Sequence, residues 1–185
     1  VESFAERTRV LIRVADQTIP DGPEYLDIGG GFYGGVPSVY PEPGPAPTIS
    51  DYAEAVCDQL IARYGTEPSG PRLIVEPGTA MVASAMSLVT RVVSIKTVPG
   101  RNFANVAGSI LDTSPNTRRI DFPVDVIRRG DGVPGPFEVG GSTLMPDEFM
   151  SIGLPGPLAE GDFLVFGRVG AYSISMVAPF LRPDV

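Results

Sequence analysis

The sequence predicts a parallel α/β unit in the first part of the chain, followed by an all-β domain. Two apolar segments, 25–28 and 72–76, are predicted to be buried strands, and each ends in a glycine-containing turn. A segment with helical spacing of apolar residues precedes each strand, and helix, strand, helix, strand is the repeating order of parallel α/β folds. From Ser87 onward, short segments rich in Val, Ile and Phe alternate with turn residues. We therefore expect two domains, residues 1–85 and 86–185.

Two amphipathic helices are predicted in the first domain. Residues 2–17 form the first, with apolar residues at helical spacing. These apolar residues are Phe4, Val10, Leu11 and Val14. Residues 51–64 form the second helix, and either Thr48 or Ser50 can act as its N-cap. Both helices are expected to pack against the two strands.

The second domain is expected to be an antiparallel sheet. A short helix of small residues, 79–86, is predicted to lead into it. Gly, Pro, Asn and Asp turns separate the predicted strands, which are short and rich in Val, Ile and Phe, a pattern typical of antiparallel sheets. The predicted strands are 87–98, 103–107, 120–128, 136–140, 162–168 and 172–177.

Composition excludes several classes of function. The 185 residues carry a net charge of −8, which disfavours binding to nucleic acid or to an anionic membrane surface. No apolar run approaches the roughly 18 residues that span a bilayer. A single cysteine, Cys57, cannot form an internal disulfide. We expect a soluble, cytoplasmic protein.

Glycines at the ends of the two first-domain strands predict one anion-binding site. Gly29, Gly30 and Gly31 have no Cβ, so their N–H groups can approach a phosphate closely. Gly78, after the next strand, can form the other side. In a (β/α)8 barrel a phosphate commonly lies at the loops after strands 7 and 8, and a complete barrel needs about 250 residues. The chain is therefore expected to contain only the final βα units of such a barrel.

Four ordered motifs resemble the fold-type III pyridoxal-phosphate decarboxylases, which include the diaminopimelate, ornithine and arginine decarboxylases. These motifs are LDIGGGF at 26–32, VEPG at 75–78, GSTLMPDE at 141–148 and GAYSISM at 170–176. The resemblance implies the end of an alanine-racemase-like (β/α)8 barrel followed by a C-terminal antiparallel β domain. An alanine-racemase-like enzyme is an alternative, but the pair of GGGF and EPG favours the decarboxylases.

The resemblance implies that this chain binds pyridoxal 5'-phosphate. The backbone N–H groups of residues 29–31 and of Gly78 would hold the phosphate, and the Tyr172 hydroxyl would lie near it. Glu76 would face the pyridine nitrogen, whose charged form a carboxylate stabilises. Each position also has a purely structural interpretation: a turn without ligand for the glycines, a solvated strand end for Glu76, and a half-buried strand residue for Tyr172.

The resemblance further implies a substrate site for a small amino acid. Arg118 and Arg119 lie where several members of the family have an arginine that contacts substrate. Asp147, in the GSTLMPDE motif, could face a substrate amine. Exposed charged residues in loops are more often simply solvated.

The chain departs from the family pattern at its most reactive positions. It has no histidine, and its one lysine, Lys96, lies in a strand-like segment where a surface role is expected rather than a Schiff base with the cofactor. Thr79 replaces the arginine that usually follows EPG, which lowers the charge available to a phosphate. Leu144 stands where the family usually has a cysteine that helps to reprotonate the product. We therefore expect no catalytic residue in this chain.

These observations favour the C-terminal part of an amino-acid decarboxylase whose lysine is supplied by an N-terminal portion or a separate chain. The partner would be that complementary barrel portion, within a homodimer, heterodimer or heterotetramer. The alternative is a non-catalytic, decarboxylase-like binding or regulatory module, which Thr79, Leu144 and Met145 favour.

Overall fold

The structure is a computed structural model that describes residues 1–33, 35, 46–66, 70–113, 122–143 and 149–176. The described residues fall into two compact units. One contains residues 1–33 and 46–78, and the other contains the described residues from Thr79 onward together with Gly35. Each unit has its own buried apolar cluster.

Helix α1, Glu2–Thr18, confirms the first predicted helix but not its predicted apolar face. The residues that it buries are Phe4, Ala5, Thr8, Ile12 and Ala15. Val10 and Val14, which were expected on the packed side, are 41% and 48% exposed. The prediction was wrong for them because the small residues Ala5, Thr8 and Ala15 allow the close approach of neighbouring elements, whereas periodicity counts only large apolar residues.

Helix α2, Ile49–Tyr64, begins at a capping box. The Thr48 hydroxyl accepts a hydrogen bond from the N–H of Asp51, and the Asp51 carboxylate accepts one from the N–H of Thr48 at 2.6 Å. Of the two predicted N-caps, Thr48 therefore has this role. Near the other end, Arg63 forms a salt bridge with Asp16 of α1 at 2.8 Å and joins the two helices.

Strands β1, Tyr25–Asp27, and β2, Arg72–Ile74, form a parallel two-stranded sheet. Leu26 is buried, as is Ile28 just after β1. All three residues of β2 are exposed, so the prediction of a buried strand was wrong there. Two parallel strands bury only the face covered by their helices, and no other described strand pairs with either of them.

In the second unit, the predicted helix 79–86 is divided into helix α3, Thr79–Val82, and a 3₁₀ turn, Ala83–Ala85. Among the described residues, six strands follow and form one sheet in the order β5-β8-β3-β4-β6-β7. Their bounds are β3 Leu88–Val98, β4 Arg101–Val106, β5 Val124–Ile127, β6 Phe137–Gly140, β7 Phe149–Leu154 and β8 Phe163–Phe166. Fully buried side chains on this sheet, among them Phe137, Phe166 and Leu164, form the core of the unit.

The sheet is mixed, which corrects the expectation of a purely antiparallel β domain. Four neighbouring pairs are antiparallel, but β4 and β6 are parallel, with Asn102 opposite Phe137. β5 lies at the far edge of the sheet beside β8, so the chain must cross the sheet before β6 can pair with β4. A crossover of this kind permits a parallel pair, whereas a tight hairpin does not.

Two further expectations about strands were wrong. β7 was missed, because Ser151 and Gly153 weaken the local strand pattern and pairing with β6 decides its conformation. The predicted strand 172–177 is a turn over its described residues, up to Met176. Tyr172 has a φ of 62°, in the left-handed region, which a strand residue cannot adopt.

We expect Thr48→Ala to lower the free energy of unfolding by about 1 kcal/mol, because the mutation leaves the N–H of Asp51 without its acceptor. Urea unfolding followed by circular dichroism measures the change. Ser50→Ala is the matched control, since Ser50 is exposed and lies outside the capping box. Equal stability of the two variants would contradict the assignment of Thr48 as N-cap.

The capping box also predicts a pH dependence. Hydrogen bonds from the backbone and side chain of Thr48 lower the pKa of Asp51. Its contribution to stability is therefore complete above the unfolded-state pKa and is lost as the pH falls through the lower folded-state pKa. The difference in unfolding free energy between the wild type and Asp51→Asn should therefore shrink as the pH falls below about 4, the usual pKa of an unfolded aspartate. Asp58→Asn, on the exposed side of α2, should show no such convergence.

Candidate functional site

The glycine triplet directly follows β1 and has a left-handed backbone at two of its three positions. Gly29 has a φ of 69° and Gly31 a φ of 90°, values that side chains other than glycine rarely adopt. Phe32, which follows the triplet, is buried. The rings of Phe4, Phe32 and Tyr52 pack at centroid distances of 4.7 to 5.1 Å. These contacts fix the position of Phe32, the residue that directly follows the turn.

The segment that follows β2 lies directly against the triplet. The N–H of Glu76 donates to the carbonyl of Gly29 at 3.0 Å, continuing the ladder in which the N–H of Ile28 donates to Ile74 at 3.1 Å. A Cβ added to Gly30 would lie 2.7 Å from the carbonyl oxygen of Glu76, so only glycine fits there without a backbone shift. The structure therefore brings together two of the predicted site elements, residues 29–31 and Glu76.

The three glycine N–H groups are not equivalent. The N–H of Gly29 donates to Oδ1 of Asp27 at 2.8 Å, in an Asx turn. Within the described residues, no group accepts a hydrogen bond from the N–H of Gly30 or of Gly31. These two N–H groups are therefore available to donate hydrogen bonds to an anion, whereas the N–H of Gly29 already donates to Asp27. Sequence reasoning treated the three as alike, because Asx turns depend on side-chain geometry.

Glu76 has an exposed side chain beside this turn. In the part of the chain that the structure describes, its carboxylate has no ion-pair or hydrogen-bond partner. An acidic residue whose backbone contacts a turn with two unpaired N–H groups fits a ligand with an anionic end and a cationic ring, which is the charge distribution of a protonated pyridoxal phosphate.

Arg7 is a contact residue that sequence reasoning missed. Its Nη1 donates to the carbonyls of Ile28 at 2.7 Å and of Gly30 at 2.8 Å, and its guanidinium lies 4.4 Å from the centroid of the Phe4 ring. The available signal was an arginine one turn after Phe4 on the buried side of α1, but helix surfaces often carry arginine.

The other predicted cofactor residues are Gly78, in the first unit, and Tyr172, in the second. Gly78 has a left-handed φ of 38°, and no hydrogen bond joins it to the triplet among the described residues. Tyr172 belongs to the second unit, is 51% exposed and has a strained backbone for a residue with a side chain. The N–H of Gly170, two residues earlier, donates to the carbonyl of Ala83 at 2.9 Å.

The predicted substrate residues Arg118, Arg119 and Asp147 lie outside the described residues, as do Leu144 and Met145. Lys96 lies in β3 with an exposed side chain, which confirms the expected surface position. The described residues contain no cluster of three potential metal ligands. None of the described helices has an apolar stretch long enough to cross a membrane.

The curated proteins most similar to this chain include several diaminopimelate decarboxylases. No family model matches the chain. The diaminopimelate decarboxylase of Pseudomonas aeruginosa is 30% identical over 179 residues, which cover 95% of this chain and 40% of the enzyme. The chain spans about two fifths of the length of the curated relatives that it matches.

Solved structures have the same fold. The diaminopimelate decarboxylase of Helicobacter pylori, solved with L-lysine, superposes with a TM-score of 0.75 at 22% identity over 96% of this chain and 42% of that one. A complex of SrLDC with PLP and cadaverine gives 0.76 at 22% identity, over 98% of this chain and 46% of that one. The resemblance drawn from the four sequence motifs is confirmed.

We expect Gly30→Ala to destabilise the first unit by about 1–3 kcal/mol, because its Cβ would meet the backbone oxygen of Glu76. Urea unfolding is the measurement. Gly130→Ala is the control, since a Cβ there meets nothing within 4 Å and Gly130 has no positive φ. A Gly30→Ala variant as stable as Gly130→Ala would contradict the close approach of the two turns.

Proposed function

We propose that this chain, which is homologous to the fold-type III pyridoxal-phosphate decarboxylases, supplies the phosphate- and pyridine-binding part of an amino-acid decarboxylase site. The lysine that carries the cofactor would come from a portion outside this chain. The observation that carries the proposal is the backbone contact between the glycine triplet and Glu76 in the first unit, where two triplet N–H groups and the Glu76 carboxylate have no partner among the described residues.

The N–H groups of Gly30 and Gly31 are the primary phosphate donors in this proposal. Two peptide N–H groups in a left-handed turn form a concave anion site. The N–H of Gly29 would reinforce them if the Asp27 side chain moved away. Gly78 and the hydroxyl of Tyr172 are proposed as additional phosphate contacts. Thr79 can donate one uncharged hydrogen bond where the family usually has an arginine, so phosphate anchoring depends more on the backbone here.

Glu76 has the electronic role. When bound, pyridoxal phosphate accepts the electron pair left at the substrate carbon after loss of carbon dioxide. The Glu76 carboxylate would keep a proton on the ring nitrogen, because an opposite charge at contact distance favours the charged form of a base.

The substrate is proposed to be a small amino acid. The relatives include diaminopimelate and ornithine decarboxylases, whose names specify substrates with an additional amino group. Arg118, Arg119 and Asp147 remain proposed substrate contacts. Leu144 cannot transfer a proton, so reprotonation of the product would depend on another group.

A complementary barrel portion is the proposed partner. β2 has exposed apolar residues, with Leu73 at 38% and Ile74 at 40%. Within the described residues, β1 and β2 pair only with each other, which leaves strand edges able to add further parallel strands. Once the barrel is completed in this way, we expect a homodimer, a heterodimer or a heterotetramer.

The proposal is tested by copurifying this chain with the polypeptide that contains the first barrel strands. The assembled protein, incubated with pyridoxal phosphate, should show the visible absorbance of lysine-bound cofactor and should release carbon dioxide from an amino acid. Absence of bound cofactor would overturn the decarboxylase proposal. Bound cofactor without carbon dioxide release from any amino acid would favour the non-catalytic binding or regulatory module.

In that assembly, Glu76→Gln should lower kcat by at least about tenfold, because a neutral amide stabilises a protonated ring less than a carboxylate does. Bound cofactor, measured by absorbance, should persist, since the phosphate contacts are unchanged. Glu54→Gln, at an exposed position of α2, is the control. Wild-type kcat in Glu76→Gln would exclude the ring contact.

A further inference from the structure

Arg7 contacts the glycine turn in a way that none of the family motifs describes. It lies in α1, about 20 residues before the triplet, and is partly buried. Its Nη1 donates to the carbonyls of Ile28 and Gly30, at 2.7 and 2.8 Å. Within the described residues it forms no salt bridge, in contrast to Arg9 on the same helix, which pairs with Glu2 and Glu6. Its charge is therefore directed at the turn.

Peptide geometry converts these contacts into an orientation. In a planar trans peptide the C=O and the N–H point in opposite directions. Holding the carbonyl of Gly30 therefore fixes the direction of the N–H of Gly31, and holding the carbonyl of Ile28 fixes that of Gly29. The third peptide of the turn, between Gly29 and Gly30, is held by the N–H of Glu76 at the carbonyl of Gly29.

All three glycine N–H groups are thus fixed by a contact at the opposite end of their own peptide. Arg7 provides two of these contacts and the backbone of Glu76 provides one. The guanidinium is suited to this task because it is planar, remains charged and offers several donors in a fixed arrangement. The ring of Phe4, 4.4 Å from the guanidinium carbon, covers one face of it.

We propose that Arg7 is a positioning residue for the anion site: it orients the N–H groups of the glycine turn and adds positive charge behind them. The proposal rests on the proposed function, because it assumes that the turn binds phosphate. The added charge also offsets the Asp27 carboxylate, which accepts from Gly29 and would repel an anion. Arg7 thus provides a cation near the turn, in a chain where Thr79 replaces the arginine that usually follows EPG.

The test uses the full chain, labelled with ¹⁵N at glycine and titrated with inorganic phosphate. The amide signals of Gly30 and Gly31 should shift with phosphate in the wild type. In Arg7→Met we expect about tenfold or more weaker phosphate binding and displaced glycine signals before phosphate is added, because two charged hydrogen bonds are lost. Arg7→Lys, which keeps the charge and some donor capacity, should bind with intermediate affinity.

Arg9→Met is the matched control, on the same helix but paired with surface carboxylates, and should bind phosphate as the wild type does. If the wild type itself shows no shift, both the proposed function and this inference are overturned. If the wild type binds and Arg7→Met binds within about twofold of it, only the role of Arg7 is overturned. If Arg7→Met does not fold, Arg7→Lys decides: unchanged glycine signals together with unchanged affinity overturn the proposal.

Discussion

The parallel pairing of β1 with β2 is the constraint on which the candidate site depends. Only three residue pairs form this sheet, yet their register brings the ends of both strands to the same edge. The ladder continues one step beyond the strands, so that the backbone of Glu76 reaches the carbonyl of Gly29. A shift of one residue would reverse the faces of the side chains and separate Gly30 from the carbonyl that requires a glycine there.

The first unit combines a well-packed side with an open one. The rings of Phe4, Phe32 and Tyr52 pack together beneath the glycine turn, and the N–H of Tyr33 donates to the Tyr52 hydroxyl at 3.1 Å. In contrast, β2 is exposed along its whole length. Rigid support favours a turn that is preorganised for a ligand, since little conformational entropy is then lost on binding. The exposed strand favours association with further strands.

Local pattern was sufficient where neighbouring residues decide the conformation. Both long helices, the two first-unit strands and most strands of the second unit lie within a few residues of their predicted positions, because periodicity and β-branched residues act locally. β7 and the turn at Tyr172 were not predicted correctly. β7 depends on pairing with β6, and Tyr172 adopts a left-handed backbone that its residue type does not favour.

The four motifs, in their order along the chain, were enough to indicate the family and the cofactor class, and the composition showed a single lysine and no histidine. Only the tertiary structure showed that Asp27 already accepts from Gly29, and that Arg7 holds the turn from 21 and 23 residues away. Such contacts leave no periodic signal, because a hydrogen bond between distant segments depends on how the helix packs on the strand. The motif resemblance therefore indicated which ligand to expect, and packing determined which N–H groups remain available to bind it.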